Sequence, residues 1–468
     1  MPSAGLAAKS SAERPLTHGV EVHVARPRIL ISGAVVFAAL LLWAVRHVEL
    51  ASHFDRGETN AFAGVYLLTF FLLSIEMVLS YCERPYVTTP EQQARLDRAR
   101  VVVNVPVYNE DSDALTQCLE SMLEQSRPPD CIYVVDDGST VDYGPVRAWF
   151  EAAANANGIE TRWARQANAG KRHAQGRTIA DTPDADYYVT VDSDAVLVRD
   201  AISEGLKPFA DQRVQSVAGV VLVKNRVNAL TWLTDLWFTV GQLVDRSSMS
   251  SVGGVLVNSG ALAFYRGSLL RANLDGYLNE DFFGRRVELS DDSLLTIYGL
   301  ARGRAVQQPT SFALTLMPEK YSHHRRQYLR WMRGAFIRSW WRFRYLPLRG
   351  WAYWIHFSGW LQMVMSTVTF GVFFVYMPVV VPSSIPTLIL IPIIVGYGQG
   401  LRYFLIRRSD TSVRAQLGIY LLTPILTIYS FFVLRCLRWY AMATCLKTGW
   451  GTRAQVESLT TGVPVMAT

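Results

Sequence analysis

Cysteine is scarce in this 468-residue chain. The five that occur, Cys82, Cys118, Cys131, Cys436 and Cys445, are odd in number, scattered and never spaced as CxxC. That excludes a disulfide scaffold and a zinc site, and it assigns the main part of the chain to a reducing compartment. Internal repeats and low-complexity stretches are absent too, so no repeat array is built here. What the chain has instead is apolar residues. Half of it is hydrophobic and its mean hydropathy is +0.14, where a soluble domain has about 45–50% apolar residues by a count that includes glycine. Such a composition excludes a disordered, collagenous or simple soluble chain and points to membrane segments. The net charge of +7, from 46 basic and 39 acidic residues, suits an anionic partner or a phospholipid surface. Positive loops on the cytoplasmic side of a membrane produce the same surplus.

The hydropathy pattern divides the chain. Residues 1–28 read as a cytoplasmic tail, and 29–82 as two transmembrane helices, 29–45 and 61–82, since about 20 apolar residues cross a bilayer core. A signal peptide is the rival for the first run; the polar lead and the second span argue against it. Glu76 interrupts the second run and should face protein or water, as a partnered structural carboxyl. Charges return over 83–327, where short β-rich runs alternate with helical ones in a cytoplasmic domain. Residues 328–350 mix Arg with Trp and Phe, as a helix lying in the membrane interface does. Two further spans are expected over 351–406, at 351–381 and 384–406, with Pro378, Pro382 and Pro386 at the turn between them. Arg402, Arg407, Arg408 and Arg414 then face a single Asp410, which marks a cytoplasmic loop. Within 407–448, the apolar run 417–446 is interrupted by Pro424 and carries Arg435 and Arg438. It is a fifth span, or a re-entrant or interfacial segment. A tail, 449–468, follows. The expectation is a multi-pass protein of the plasma membrane with its polar domain in the cytoplasm and membrane lipid around it.

Inside the domain, VVVNVPV (101–107) and CIYVV (131–135) flank a helical stretch, which implies a parallel α/β sheet. Ligands of such sheets sit beyond the carboxyl ends of the strands. Polar clusters follow three apolar runs: Tyr108-Asn109-Glu110, Asp136-Asp137-Gly138-Ser139 and Asp192-Ser193-Asp194. Each alone is more often a turn or a cap; three in register are a site. The two carboxylates of Asp192 and Asp194 suit Mg²⁺ or Mn²⁺, whose shell substrate phosphates complete. Asn168-Ala169-Gly170-Lys171-Arg172-His173 is a basic turn opening a helix, which is either solvated or a phosphate seat. Asp291 and Asp292 stand side by side before an apolar helix. They are N-terminal acids that favour the helix dipole, or one is a general base that deprotonates a hydroxyl. Gln327, Arg330 and Trp331 are membrane anchors or sugar and diphosphate contacts. Trp450 and Arg453, near the end, are an inert tail or a loop over an anionic ligand.

Taken together, VDDGS, the DxD inside VTVDSDA, an acidic pair before a helix, and QxxRW leading into apolar helices resemble the processive family-2 glycosyltransferases, which include cellulose, chitin and hyaluronan synthases. GKRHAQ, NSGALAFYR, NEDFFG, SDDSLLT, QYLRWMR and GWGTR resemble the bacterial hyaluronan synthases in order and spacing, over residues 60–453. The resemblance implies a GT-A-type α/β glycosyltransferase domain set between transmembrane helices. It implies UDP contacts at Tyr108, Asp136 and Lys171, nucleotide and metal at Asp192 and Asp194, and Asp292 as base. It also implies acceptor contacts at Arg330 and Trp331, and a gating loop holding Trp450 and Arg453. Because that loop faces the cytoplasm in the family, 417–446 is taken as re-entrant or interfacial. The expected partners are UDP-N-acetylglucosamine, UDP-glucuronate and the growing polysaccharide, with no nucleic acid. A chitin-like synthase, a transferase acting on a lipid phosphate, and a transporter or receptor that merely binds nucleotide are the alternatives. The sequence departs from the family's Cys-Ser-Gly-Pro at Asn258-Ser259-Gly260-Ala261, and Ser290 stands where the family has Gly. Arg172, Arg285 and Arg286 are the candidate cations for a glucuronate carboxylate.

Overall fold

The computed structural model describes residues 20–25, 39, 60–376, 379 and 385–449. The expected first span, 29–45, lies outside the described residues but for one position, and Trp450 and Arg453 lie wholly outside them.

The strands are β1 (Val22–Val24), β2 (Val101–Val107), β3 (Cys131–Asp136), β4 (Glu160–Arg165), β5 (Tyr187–Thr190) and β6 (Val196–Leu197). They continue with β7 (Val214–Val223), β8 (Ala263–Arg266), β9 (Asp281–Phe282), β10 (Arg285–Arg286), β11 (Arg304–Thr315) and β12 (Ile406–Arg408). Eight of them form one sheet in the order β4-β3-β2-β5-β8-β7-β11-β6. Strands β4, β3, β2 and β5 are parallel, as are β7 and β11, while β8 runs antiparallel between β5 and β7. Every residue of β2 and β3 is buried. That is what a continuous Val/Ile-rich run requires of a parallel strand covered on both faces. Pro106, which has no N–H to donate, stands beyond the last β2–β5 pair, Asn104 with Thr190.

Helices cover the sheet. Those that frame the site are α1 (Asn60–Cys82), α2 (Ser112–Leu123), α3 (Lys171–Asp181), α4 (Ala229–Gly241), α5 (Asp291–Arg302), α6 (Tyr321–Tyr345), α7 (Trp351–Gly371) and α8 (Ile385–Gly400). Asp111 caps α2 by accepting from the amides of Asp113 and Ala114. Leu115 and Leu119 of α2 bury against Val103, Val105 and Val189 of the sheet. Helix α4 runs on into a π-helical turn, Gln242–Arg246. Helix α6 begins at Tyr321, upstream of the expected 328. Among the described residues, two helical stretches are long and apolar enough to cross a membrane, Trp351–Tyr376 and the 31-residue Val413–Ala443. Helix α8, 16 residues with Pro392 inside it, gives way to a 3₁₀ turn, Leu401–Leu405, and to β12. The described part of the expected span 384–406, residues 385–406, therefore is not one continuous helix. Strand β12 pairs antiparallel with β1, and Val22 and Ile406 pack with Val220, Leu222, Phe312 and Leu314 of the domain.

Helix α5 starts under constraint. Its N-cap, Ser290, is left-handed (φ 58°, ψ 50°), a conformation that costs a residue with a Cβ about 1–2 kcal/mol. Gly334 of α6 provides the room, since a Cβ there would lie 2.6 Å from Ser290 Cβ. Gly334→Ala should therefore destabilise the protein by about 1–3 kcal/mol through overpacking. In a Ser290→Gly background the same change should cost almost nothing. Thermal melts of the four variants in a double-mutant cycle would measure the coupling, and additive shifts would refute this packing.

Candidate active site

The carboxyl ends of β2, β3 and β5 carry the three polar clusters, and they are bonded side to side. Asn109, left-handed at φ 46°, donates its amide to Ser139 Oγ at 3.0 Å and accepts from the Thr140 amide at 2.8 Å. Ser193 turns inward and donates to Glu110 Oε2 at 2.9 Å. That leaves Asp192 and Asp194, on either side of it, half-exposed. Asp136 accepts from the Ser139 amide at 2.9 Å and lies 3.4 Å from Arg165 Nε. Tyr108 is half-buried beside them.

The neighbouring Asp137, which its motif did not single out, holds the basic turn. Its carboxylate accepts from the amides of Ala169 at 2.9 Å and Gly170 at 2.8 Å. Gly170 (φ 93°) then lets the chain enter α3. Lys171, the first residue of α3, donates from Nζ to Asp192 Oδ1 at 2.7 Å and stands 3.3 Å from Asp291 Oδ2. Burial works against its charge, but Asp192 and then Asp291 outweigh it and raise its pKa. One ammonium thus joins the end of β5 to the start of α5.

The two acids of α5 divide. Asp291 is buried. Burial opposes its charge, yet Lys171 holds its pKa below the usual carboxylate value. Asp292 is half-exposed. Its Oδ1 accepts from the Ser293 amide at 2.6 Å, and burial, followed by the Asp291 charge, pushes its pKa up to about 6. Two adjacent carboxylates with opposite shifts are the arrangement in which one serves as fixed charge and the other as proton acceptor.

Behind them lies an ionic cluster whose pairing no local motif announces. Buried Glu280 receives both terminal nitrogens of fully buried Arg338, with Nη2 at 2.7 Å. It also accepts from Arg172 Nη1 at 2.7 Å and Trp341 Nε1 at 2.7 Å. Burial opposes the Glu280 charge, but Arg338 and Arg172 hold its pKa below the usual value. Arg172 and Arg338 both donate to the Leu289 carbonyl, at 2.7 and 3.0 Å, and Arg338 Nε donates to the Ser290 carbonyl at 3.1 Å. The cluster therefore fixes the peptide that leads into Asp291. It also commits Arg172, which removes it as a cation for a sugar carboxylate. Arg286 contacts His173, and Arg285 donates to the Leu446 carbonyl at 3.1 Å.

Gln327, Arg330 and Trp331 lie on α6, each half-buried. The Trp331 ring stacks with Phe238 (centroids 6.1 Å) and Trp237 (6.5 Å) of α4. A second cation, Arg246, sits in the π turn. It donates from Nη2 to Ser259 Oγ at 2.7 Å and is one of the charges that Asp292 supports. Sequence spacing gave no sign of it, because the bulge that turns it inward has no compositional signature.

For a divalent cation the donors are Asp192 and Asp194. No group of three or more His, Cys, Asp or Glu side chains suited to a metal occurs among the described residues. Two hard oxygen donors at an open strand end, one shared with Lys171, match an ion that completes its shell on phosphate oxygens and water, as Mg²⁺ does. The residues fit.

This fold and site define a GT-A-type glycosyltransferase. A mannosyltransferase from Pyrobaculum calidifontis, solved with GDP-Man and Mn²⁺, superposes with a TM-score of 0.51 at 18% identity, covering 84% of this chain and 99% of that one. Residues 99–334 match the family described as glycosyltransferase like family 2. The hyaluronan synthase of Streptococcus pyogenes serotype M1 is 31% identical over 407 residues, 85% of this chain and 92% of that protein. An N-acetylglucosaminyltransferase of Rhizobium meliloti is 30% identical over 375 residues, 75% of this chain and 81% of that protein. The chain belongs to glycosyltransferase family 2 and is a homologue of the hyaluronan synthases.

Glu280→Gln leaves Arg172 and Arg338 facing one another without their counter-charge. Breaking a buried pair by removing one partner costs about 3–5 kcal/mol. A matching fall in the denaturation midpoint is expected, and an unchanged midpoint would show that the cluster does not hold this part of the fold.

Proposed function

We propose that this glycosyltransferase is a membrane-embedded, processive, inverting synthase that polymerises UDP-N-acetylglucosamine and UDP-glucuronate into hyaluronan and secretes it. The observation that carries the reading is Lys171 between Asp192 and Asp291, with Asp292 next in the chain. A cation for the diphosphate and a base for the acceptor meet across one gap.

In this mechanism Tyr108 and Asp136 border the uridine and Lys171 faces the diphosphate. Asp192 and Asp194 would hold Mg²⁺ or Mn²⁺, which when bound supplies Lewis-acid neutralisation of the leaving group's charge. Gln327, Arg330 and Trp331 border the acceptor's terminal sugar. A hydroxyl oxygen of that sugar bonds to the anomeric carbon of the donor, while the carbon–phosphate oxygen bond breaks and UDP leaves with its electron pair. The hydroxyl proton passes to Asp292 and from there to solvent. One displacement inverts the anomeric centre, and no second carboxylate is needed as nucleophile. Trp450 and Arg453, outside the described residues, are assigned to a loop over the bound nucleotide.

Three observations support a membrane setting, and the basic loop with Arg407, Arg408 and Arg414 assigns the domain to the cytoplasmic side. Strands β1 and β12, on either side of the two groups of expected spans, pair with each other and pack on the domain. The stretch Val413–Ala443 is tied to the domain at both ends. Asp410 lies 3.1 Å from Arg226, and Thr444 Oγ1 accepts from Arg333 Nε at 3.1 Å. A helix that crossed a bilayer would carry one end about 30 Å away, so this stretch is read as interfacial or re-entrant. A cavity of about 480 Å³ opens between α4, α7, α8 and that stretch, lined among others by Trp237, Asp245, Gln362, Ser366 and Arg438. An aromatic face with amides and hydroxyls suits a polysaccharide, and this cavity is assigned to the exit path.

The similarity to an N-acetylglucosaminyltransferase and the commitment of Arg172 to Glu280 favour a second reading, a chitin-like synthase using UDP-N-acetylglucosamine alone. Incorporation of radiolabel from each nucleotide sugar, singly and together, separates them. Polymer should form only when both donors are present, and polymer from UDP-N-acetylglucosamine alone overturns the hyaluronan reading.

With its pKa near 6, Asp292 is protonated below that pH and cannot accept a proton. Turnover should therefore fall tenfold per pH unit on the acid side of about pH 6. Asp292→Asn should lower turnover by about 10²–10⁴ while UDP still binds. UDP-release rates across pH and UDP affinity for the variant check both, and near-normal turnover would remove Asp292 as base.

A further inference from the structure

We infer that Arg246 is a positioning residue for the acceptor sugar, acting through Ser259 on the segment 258–261; this rests on the glycosyltransferase mechanism proposed above. The segment lies between the two halves of the reaction site. On one side, Gly260 sits so close to the donor cation that a Cβ there would lie 3.1 Å from Lys171 Nζ and 3.6 Å from Asp192 Oδ1. On the other side, the Asn258 amide donates to Thr296 Oγ1 at 3.1 Å, and that hydroxyl donates to the Asp292 carbonyl at 2.7 Å. Tyr265, just beyond the segment, also reaches the Asp292 carbonyl at 3.5 Å. An attacking hydroxyl must lie within hydrogen-bond reach of Asp292 and about 3 Å from the anomeric carbon, whose diphosphate rests on Lys171. The segment 258–261 adjoins both the donor cation and the backbone of Asp292.

The side-chain bond to Ser259 comes from Arg246. Its Nη2 donates to Ser259 Oγ at 2.7 Å, while Nη1 donates to the Gly219 carbonyl at 3.3 Å and to Gln242 Oε1 at 3.1 Å. Gln242 is itself pinned to β7 by paired bonds with the Val221 backbone, at 2.8 and 2.6 Å. The guanidinium therefore transmits the position of a sheet strand to the loop. Only a planar fork spans these partners at once. The π turn that presents it also carries Asp245, which lines the large cavity. Such turns recur at functional sites because the inserted residue redirects a side chain.

The test uses the full-length protein in lipid nanodiscs, with N-acetylglucosamine as the acceptor and UDP-glucuronate or UDP-N-acetylglucosamine as donor. Transfer is followed with whichever donor the wild type uses. Arg246→Gln and Ser259→Ala should each raise the acceptor KM by about tenfold or more, the loss expected for a charge-assisted bond. UDP affinity should stay within about twofold for both. Ser259→Ala should add nothing in the Arg246→Gln background, and Arg246→Lys should not rescue it, because an ammonium lacks the fork. An unchanged acceptor KM in Ser259→Ala, multiplicative effects in the double variant, or an equal loss of UDP affinity would overturn the inference. If Arg246→Gln fails to fold, Ser259→Ala alone decides. A wild type that transfers from neither donor would instead bring down the mechanism on which the inference rests.

Discussion

One half-buried ammonium carries the architecture of the site. Lys171 is held between Asp192, at the end of a parallel strand, and Asp291, at the start of a helix a hundred residues further along. Remove its charge and the two carboxylates, with Asp292 beside them, repel one another in a setting of low dielectric, where such repulsion is strong. With the charge present, Asp291 stays ionised and Asp292 carries the cost. The chain therefore does not tune Asp292 by burial alone. It builds a fixed negative neighbour, neutralises that neighbour with a lysine, and leaves the second carboxylate half-exposed with a raised pKa.

The lysine and the acids need a rigid seat, and Glu280 supplies it. Two arginines, from α3 and α6, converge on one carboxylate and on the carbonyls just before Asp291. Such a cluster contributes little net stability compared with apolar packing of the same volume, because each charge loses its water. What it contributes is registry. The terminal nitrogens of both arginines point at defined acceptors, which fixes how α3, α6 and the start of α5 meet. The left-handed Ser290 is tolerated for the same reason, being clamped between Gly334 and the Arg338 contact to its carbonyl.

Much of this was legible in the sequence, and the boundary of legibility follows from the physics. Strand ends followed by polar clusters are local patterns, so Asp136, Asp192, Asp194 and the pair Asp291-Asp292 stood out, as did the Gly170–Lys171 turn. The parallel α/β sheet followed from alternating strand and helix signals, and its GT-A type from the resemblance to the family-2 glycosyltransferases. What could not be read is what depends on partners far apart. Arg338 and Glu280 are 58 positions apart, and although Glu280 lies in the NEDFFG stretch, nothing there names Arg338 as its partner. The antiparallel insertion of β8 between β5 and β7 has no signature in its four residues. The pairing of Val22–Val24 with Ile406–Arg408 joins segments that hydropathy assigns to opposite ends of the chain. Hydropathy also reads apolar length without direction, so it leaves the run 417–446 open between a span and a re-entrant or interfacial segment, and the contacts at either end, Asp410 with Arg226 and Thr444 with Arg333, have no local signature.

Donor choice can be narrowed by the same reasoning about committed charges. A cation that recognises a uronate must give up its existing partners or have donors to spare. Arg172 has neither option, since its carboxylate, Glu280, would be left buried beside Arg338 alone. Arg285 and Arg286 lie on the exposed hairpin of β9 and β10, and their contacts are two carbonyls and a histidine ring. Those are neutral partners, cheaply exchanged for a carboxylate, whereas an ion pair within a protein core is not. A uronate carboxylate would therefore be met from the hairpin side of α3 and not from the floor of the site, where the arginines of the Glu280 cluster and the π turn are already committed to other partners.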